Sequence, residues 1–169
     1  MTRVVFLCTG NAARSVMAAV IARERAPELD VRGAGTFSIP GLPMSQRTRA
    51  ALAAVGLSDP DHRSRQLEQA DTDWADVIVA FEAEHVDYVR RKHPHAGPIT
   101  ATMPRLARDL APHAVPLGER VDALALHELE VEPWEEVVDP AGGDEAVFHQ
   151  CLADITALMD DLLPKLSAR

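Results

Sequence analysis

The run Val4-Val5-Phe6-Leu7-Cys8-Thr9-Gly10-Asn11-Ala12-Ala13-Arg14-Ser15-Val16-Met17 decides how the rest of the chain is read. Four apolar residues lead into Cys8, small or turn-prone residues follow, and Arg14-Ser15 opens a segment with helical spacing. That pattern predicts strand, tight loop and helix in succession. A loop pinned between a strand end and a helix start aims several backbone N–H groups at one point, and the helix dipole adds partial positive charge there. An anion belongs in such a pocket. Gly10 and Asn11 accept positive φ readily, so the chain can curl there, while Ala12 and Ala13 keep bulk out of the hollow. The thiolate of Cys8, at the mouth of the loop, gains from those N–H groups, from Arg14 and from the Ser15 hydroxyl. Arg14 supplies a planar fork suited to gripping a phosphate-like group. The loop therefore offers both a nucleophile and an oxyanion cradle. Neither G-x-G-x-x-G nor G-x-x-x-x-G-K-[ST] occurs in it, which sets a nucleotide fold aside.

The chain has 169 residues, 47% of them hydrophobic, enough for one well-buried domain spanning 1–169 and short for two. Seventeen basic residues against twenty-six acidic give a formal charge of −9, which disfavours nucleic acid and anionic membrane as partners. Positive potential should be local to the loop. The two cysteines, Cys8 and Cys151, have no spacing that suggests a disulfide framework or a zinc site, which points to a reducing compartment. Met1-Thr2-Arg3 runs straight into a short apolar strand, without a long hydrophobic segment, and the expected location is cytoplasmic. High Arg and Ala with little Lys hints at a bacterial source.

Further strands are expected over 31–36, 76–81 and 99–103. Helices are expected from Arg14 to a stop at Pro27, over 46–55 with Ala51, Leu52 and Val55 inward, over 82–93, 105–110 and 121–129. From Glu145 onward, Phe148, Cys151, Leu152, Ile155, Leu158, Met159, Leu162 and Leu166 recur at spacings of three and four, a long amphipathic helix that places Cys151 on its apolar stripe. Alternating strands and helices imply an α/β fold: a four-stranded parallel, doubly wound sheet flanked by helices, with the phosphate-binding loop after the first strand. Phe37, Ile39 and Leu42 lie in a loop after the second strand, where capping the core and touching a substrate are both open readings. His93 and His95 flank Pro94 in a turn that no carboxylate or thiol joins nearby, so no metal is implied. Asp139-Pro140, followed by Gly142-Gly143, is either ordinary turn chemistry or the place of a general acid.

Cys8, five residues, then Arg14-Ser15, with Thr9-Gly10-Asn11 inside the loop and Asp139-Pro140 far downstream, resembles the low-molecular-weight protein tyrosine phosphatases. The resemblance implies a metal-free, cofactor-free phosphomonoesterase with a cysteinyl-phosphate intermediate: Cys8 as nucleophile, Arg14 as oxyanion clamp, Asp139 as general acid. It implies substrate contacts at Thr9, Gly10, Asn11, Ala12, Ala13 and Ser15, and a supporting His62 that hydrogen-bonds the Asn11 side chain. It also implies that the 37–45 loop forms one wall of the crevice, and that the partner is a phosphorylated protein or small phosphomonoester. The chain departs from the family's pattern at several points. Phe81-Glu82 and His85 stand where relatives usually have Met-Asp and Asn, and Ala141 where an aromatic residue often follows Asp-Pro. Ala13 replaces a second loop cysteine, and Val16 a proline. A thiol-dependent arsenate reductase using an external small thiol, and a non-catalytic phosphate- or phosphoprotein-binding module, are the alternatives.

Overall fold

Val4, Val5, Phe6 and Leu7 are all fully buried because β1 (Arg3–Cys8) runs through the middle of a sheet covered on both faces. The computed structural model describes residues 1–167. β1 is flanked by β2 (Asp30–Gly35) and β3 (Val77–Ala80), and β4 (Thr100–Thr102) completes a four-stranded parallel sheet in the order β2-β1-β3-β4. The register pairs Cys8 with Gly35 on one side and ends at Leu7 with Ala80 on the other. Successive β1 residues face opposite ways, as a pleated strand requires. Val4, Phe6 and Cys8 enter the larger core, and Val5 and Leu7 the smaller one with Ala34, Ile78 and Val89. The chain leaves β1 for β2 on one side and reaches β3 on the other, so the β1 end is the switch point where such sheets bind ligands.

The larger core is built by α1 (Arg14–Arg25) and α7 (Glu145–Leu166), which pack on each other, with α2 (Gln46–Ala54) and α5 (Met103–Asp109) beside α7. The stripe expected on α7 is buried as read, with Ile155, Met159, Leu162 and Leu166 fully covered and Leu158 partly so. Asp144 caps this helix by accepting from the Val147 amide at 3.1 Å. The smaller core lies under α4 (Ala83–Lys92), preceded by the short α3 (Gln69–Trp74), which the sequence pattern did not reveal.

Several expected boundaries shift for local reasons. The strand expected over 99–103 is cut to three residues because the Thr102 hydroxyl accepts from the Arg105 amide and starts α5 at Met103. The helix expected over 121–129 is instead α6 (Leu117–Asp122), followed by a single tight turn at Leu126–Glu128. Ala125, at φ 49°, breaks the helical path between them. Val55 is 60% exposed and not inward, because α2 closes at Gly56 and Leu57 folds back to bond Leu52.

The segment that carries Asp139 is anchored by one charged knot. Arg105 donates to both oxygens of buried Glu135, at 3.0 and 2.7 Å, and pairs with Asp109 and Glu132. Its guanidinium and that of Arg108 lie against Trp134, at 4.8 and 3.8 Å from the ring centre. Glu135→Ala leaves Arg105 with only its more exposed partners. It is expected to lower stability toward the lower end of the roughly 3–5 kcal/mol typical of a broken buried pair, read by urea unfolding.

Candidate active site

In the loop of residues 9–13 the carbonyls of Thr9, Asn11, Ala12 and Ala13 are held by groups beyond the loop, as is that of Cys8 before it. Cys8 O accepts from the Thr36 amide and Thr9 O from the Phe37 amide, both at 2.9 Å. Asn11 O accepts from His62 Nε2 and Ser64 Oγ, each at 2.8 Å. Ala12 O accepts from the Ser45 amide and the Thr48 hydroxyl, and Ala13 O from the Met17 amide. Since a planar peptide points its N–H opposite its C=O, this outward bracing turns the following amides toward the hollow above Cys8. Asn11 alone in the loop takes a left-handed conformation, φ 52°; Gly10, expected to share it, does not. The Asn11 side chain fixes that kink, accepting from the Arg65 amide at 3.1 Å and donating to Ser15 Oγ at 2.8 Å. Gly35 makes room for it: a Cβ there would lie 2.4 Å from Thr9 O.

Cys8 and Ser15 meet at the base of this hollow, Sγ to Oγ 3.0 Å. Arg14, next to Ser15, is 2% exposed, and its Nη1 donates to Val137 O at 2.8 Å and lies 2.9 Å from Glu82 Oε1. Its Nη2 lies 3.6 Å from Asp139 Oδ2. With Nη1 engaged, the Nε–H and the Nη2 edge form the fork that remains for an anion. Asp139 is half-exposed, and its Oδ1 accepts from the Ala141 amide at 3.0 Å, a local turn continued by Gly142 at φ 83°. The sequence-predicted set of Cys8, the 9–13 loop, Arg14, Ser15 and Asp139 is thus brought together. His62 is also adjacent but holds the Asn11 main-chain carbonyl and not its side chain, because Arg65 and Ser15 already occupy the side-chain amide.

Two further site residues, Glu82 and His85, stand where the chain departs from the family's pattern, and the sequence assigns them no role. Glu82 sits against Arg14, and His85 is wholly buried between the loop and β3. Their spacing, Glu82-x-x-His85, closes a reciprocal cap at the start of α4. His85 Nδ1 accepts from the Phe81 and Glu82 amides, at 3.3 and 3.1 Å, so its proton is on Nε2, which donates to Thr9 Oγ1 at 2.9 Å. Burial, and then the Arg14 charge, push its pKa down to about 3. Burial also lowers His62 against the opposing bond to Asn11. Glu82, Glu84 and His85 place donor atoms within 4.8 Å of one another, but both His85 nitrogens are occupied as described, so the imidazole has no lone pair for a cation. His93 bonds Gln69, and His95 bonds Thr72 and pairs with Asp73. Cys151 is buried on α7, and burial raises its thiol to about 11, which makes it a poor second thiol.

A cysteine at the base of an amide-lined loop, one buried guanidinium and a facing carboxylate at a switch point define the class of cysteine-dependent phosphatases. The comparisons agree. The model of the low molecular weight phosphotyrosine protein phosphatase family matches residues 3–169, and the chain belongs to that family. It is 28% identical to a protein-arginine-phosphatase of Geobacillus stearothermophilus over 97% of this chain and 95% of that protein. It is 32% identical to a low molecular weight protein-tyrosine-phosphatase of Streptomyces coelicolor, over 95% of this chain and 91% of that one. The solved structure of the YwlE arginine phosphatase from Geobacillus stearothermophilus superposes with a TM-score of 0.79 at 27% identity, covering 98% of this chain and 93% of that chain. No helix among the described residues is long and apolar enough to cross a membrane.

The two lowered histidines make stability depend on pH. Each is held neutral in the fold and charges more readily unfolded, so the stabilisation is complete above about 6.5 and is lost as pH falls below it, toward about 3 for His85. One such group costs about 1.4 kcal/mol per pH unit within its window. Urea unfolding at pH 7 and pH 4.5 should therefore show a gap that shrinks by about 2.5 kcal/mol in His85→Gln, the carboxylate contribution being common to both proteins. An equal gap in the two proteins would mean that His85 is not held neutral.

Proposed function

We propose that this enzyme hydrolyses phosphorylated protein side chains with Cys8 as nucleophile, Arg14 and the loop amides as oxyanion holders, and Asp139 as proton donor and acceptor. The observation that carries the reading is the engagement of Arg14: Val137 O and Glu82 hold Nη1, while Asp139 lies 3.6 Å from Nη2. The guanidinium is thereby oriented with its Nε–Nη2 edge beside both the cysteine loop and the acid. In the first step the Cys8 thiolate forms an S–P bond as the bond from phosphorus to the leaving atom breaks, an oxygen in phosphotyrosine and a nitrogen in phosphoarginine, and Asp139 gives that atom its proton. Water then attacks phosphorus, Asp139 takes its proton, and the S–P bond breaks to release phosphate. The site's own groups supply every proton and charge that this sequence needs. A reducing, cytoplasmic setting suits the two free cysteines.

A specific observation favours phosphoarginine beside phosphotyrosine as substrate. Glu82 and Asp139 both border the Arg14 guanidinium, and Ala141 puts no ring at the exposed turn after Asp139, conditions that suit a cationic guanidinium leaving group. Arginine phosphatase is the activity in the name of the Geobacillus relative. The arsenate reductase alternative requires an external thiol, given the burial of Cys151.

Cys8→Ser should abolish hydrolysis of p-nitrophenyl phosphate, and Asp139→Asn should slow kcat by roughly 10²–10⁴-fold. Near-normal turnover by either variant would overturn the assignment. Phosphotyrosine and phosphoarginine peptides, and arsenate with a small thiol, should be assayed in parallel: faster turnover of either peptide assigns the substrate class, and thiol-dependent arsenate reduction in their place refutes the phosphatase reading.

A further inference from the structure

We propose that His85 is a positioning residue that locks the nucleophile loop to the acid loop across the sheet's switch point. The inference rests on the phosphatase reading and goes beyond it by assigning a role to a residue that touches no reacting atom.

The β1–β3 ladder stops at Leu7 and Ala80, one residue before Cys8, so the two strand ends have no main-chain bond to each other where the chemistry would occur. His85 fills that gap. Its Nε2–H reaches Thr9 Oγ1, in the residue directly after Cys8, while its Nδ1 takes the Phe81 and Glu82 amides that follow β3. From there a continuous chain of bonds leads to the acid. The Phe81 carbonyl accepts from the Val137 amide at 2.7 Å, Val137 O accepts from Arg14 Nη1, and Asp139 lies two residues beyond Val137. A second link runs alongside, from the Ala83 amide to Glu136 Oε1 at 3.3 Å. On its other side Thr9 is tied by its carbonyl to the Phe37 amide, so the residue after the cysteine is held from both flanks of β1.

The chemistry of the imidazole fits this task. An imidazole with an acceptor on one edge and a donor on the other satisfies two amides and a hydroxyl at once, and of its two charge states only the neutral one does so. Protonation would set an Nδ1–H against two N–H donors. Full burial and the nearby Arg14 disfavour the charged form against the two carboxylates that face the ring, Glu82 with Oε2 at 3.8 Å and Glu84 within 4.8 Å, so the lock persists at ordinary working pH. Asparagine carries an acceptor and a donor on a shorter side chain.

The test uses the intact enzyme and a series of aryl phosphates with increasingly poor leaving groups, because loss of a well-placed acid is felt most where the leaving oxygen most needs a proton. His85→Ala and Thr9→Val should each lower kcat/KM about tenfold or more for phenyl phosphate and less for p-nitrophenyl phosphate. The double variant should be no worse than the single ones, and His85→Asn should recover most of the loss. Protection of Cys8 from iodoacetate by inorganic phosphate, which requires no turnover, should weaken about five- to tenfold in both single variants. Thr9→Val keeps the test open if His85→Ala does not fold. Additive effects, equal loss across all leaving groups in step with a lowered melting temperature, or unchanged phosphate protection would overturn the inference. Normal hydrolysis by Cys8→Ser would instead discredit the phosphatase reading, and the protection assay would still decide the lock.

Discussion

A guanidinium almost entirely removed from water is the constraint around which this molecule is arranged. Arg14 is 2% exposed, and an unpaired charge so placed would cost several kcal/mol. Its position at the first residue of α1 fixes it beside the cysteine loop, so its partners must come to it. They arrive from two distant segments: Glu82 from the turn after β3, and Val137 O with Asp139 from the segment before α7. The burial of one cation thus assembles the crevice, and the Arg105–Glu135 knot next to it fixes the segment that bears the acid.

The same economy governs the loop. A chain of net charge −9 has no broad positive field, and its anion site depends on oriented amides and a single fork. Amides face inward when the carbonyls are satisfied outside, as those of Cys8, Thr9, Asn11, Ala12 and Ala13 are here. The β2 side supplies Thr36, Phe37, Ser45, Thr48, His62 and Ser64; the β3 side supplies His85 through Thr9. The cradle is an outcome of tertiary packing on both flanks of the central strand and not of the loop sequence alone.

Much of the fold was legible because its signals are local and periodic. The buried run of β1, the turn residues after it and the three-and-four spacing on α7 each identify an element without outside help. The failures have an equally local cause. Thr102 ends a strand by capping a helix, and Ala125 interrupts a helical pattern through a backbone angle that composition does not announce. The loop pattern identifies Cys8 and Arg14 and the family relation adds the role of Asp139, but the partner of His62 differs from the expected one, since nothing in a sequence states that Arg65 and Ser15 already occupy the Asn11 amide.

The chain by itself determined the chemical inventory and the order of its elements: a thiol and a guanidinium six residues apart at a strand–helix junction, and one carboxylate far downstream. Those follow from covalent spacing and hydrophobic period, which are written in the sequence. Only the tertiary structure decided which edge of Arg14 faces the acid, which atom each histidine holds, and how Glu82 and His85 engage the site. Such choices depend on how buried donors and acceptors are shared among segments far apart in the chain, and that allocation exists only once the chain has packed.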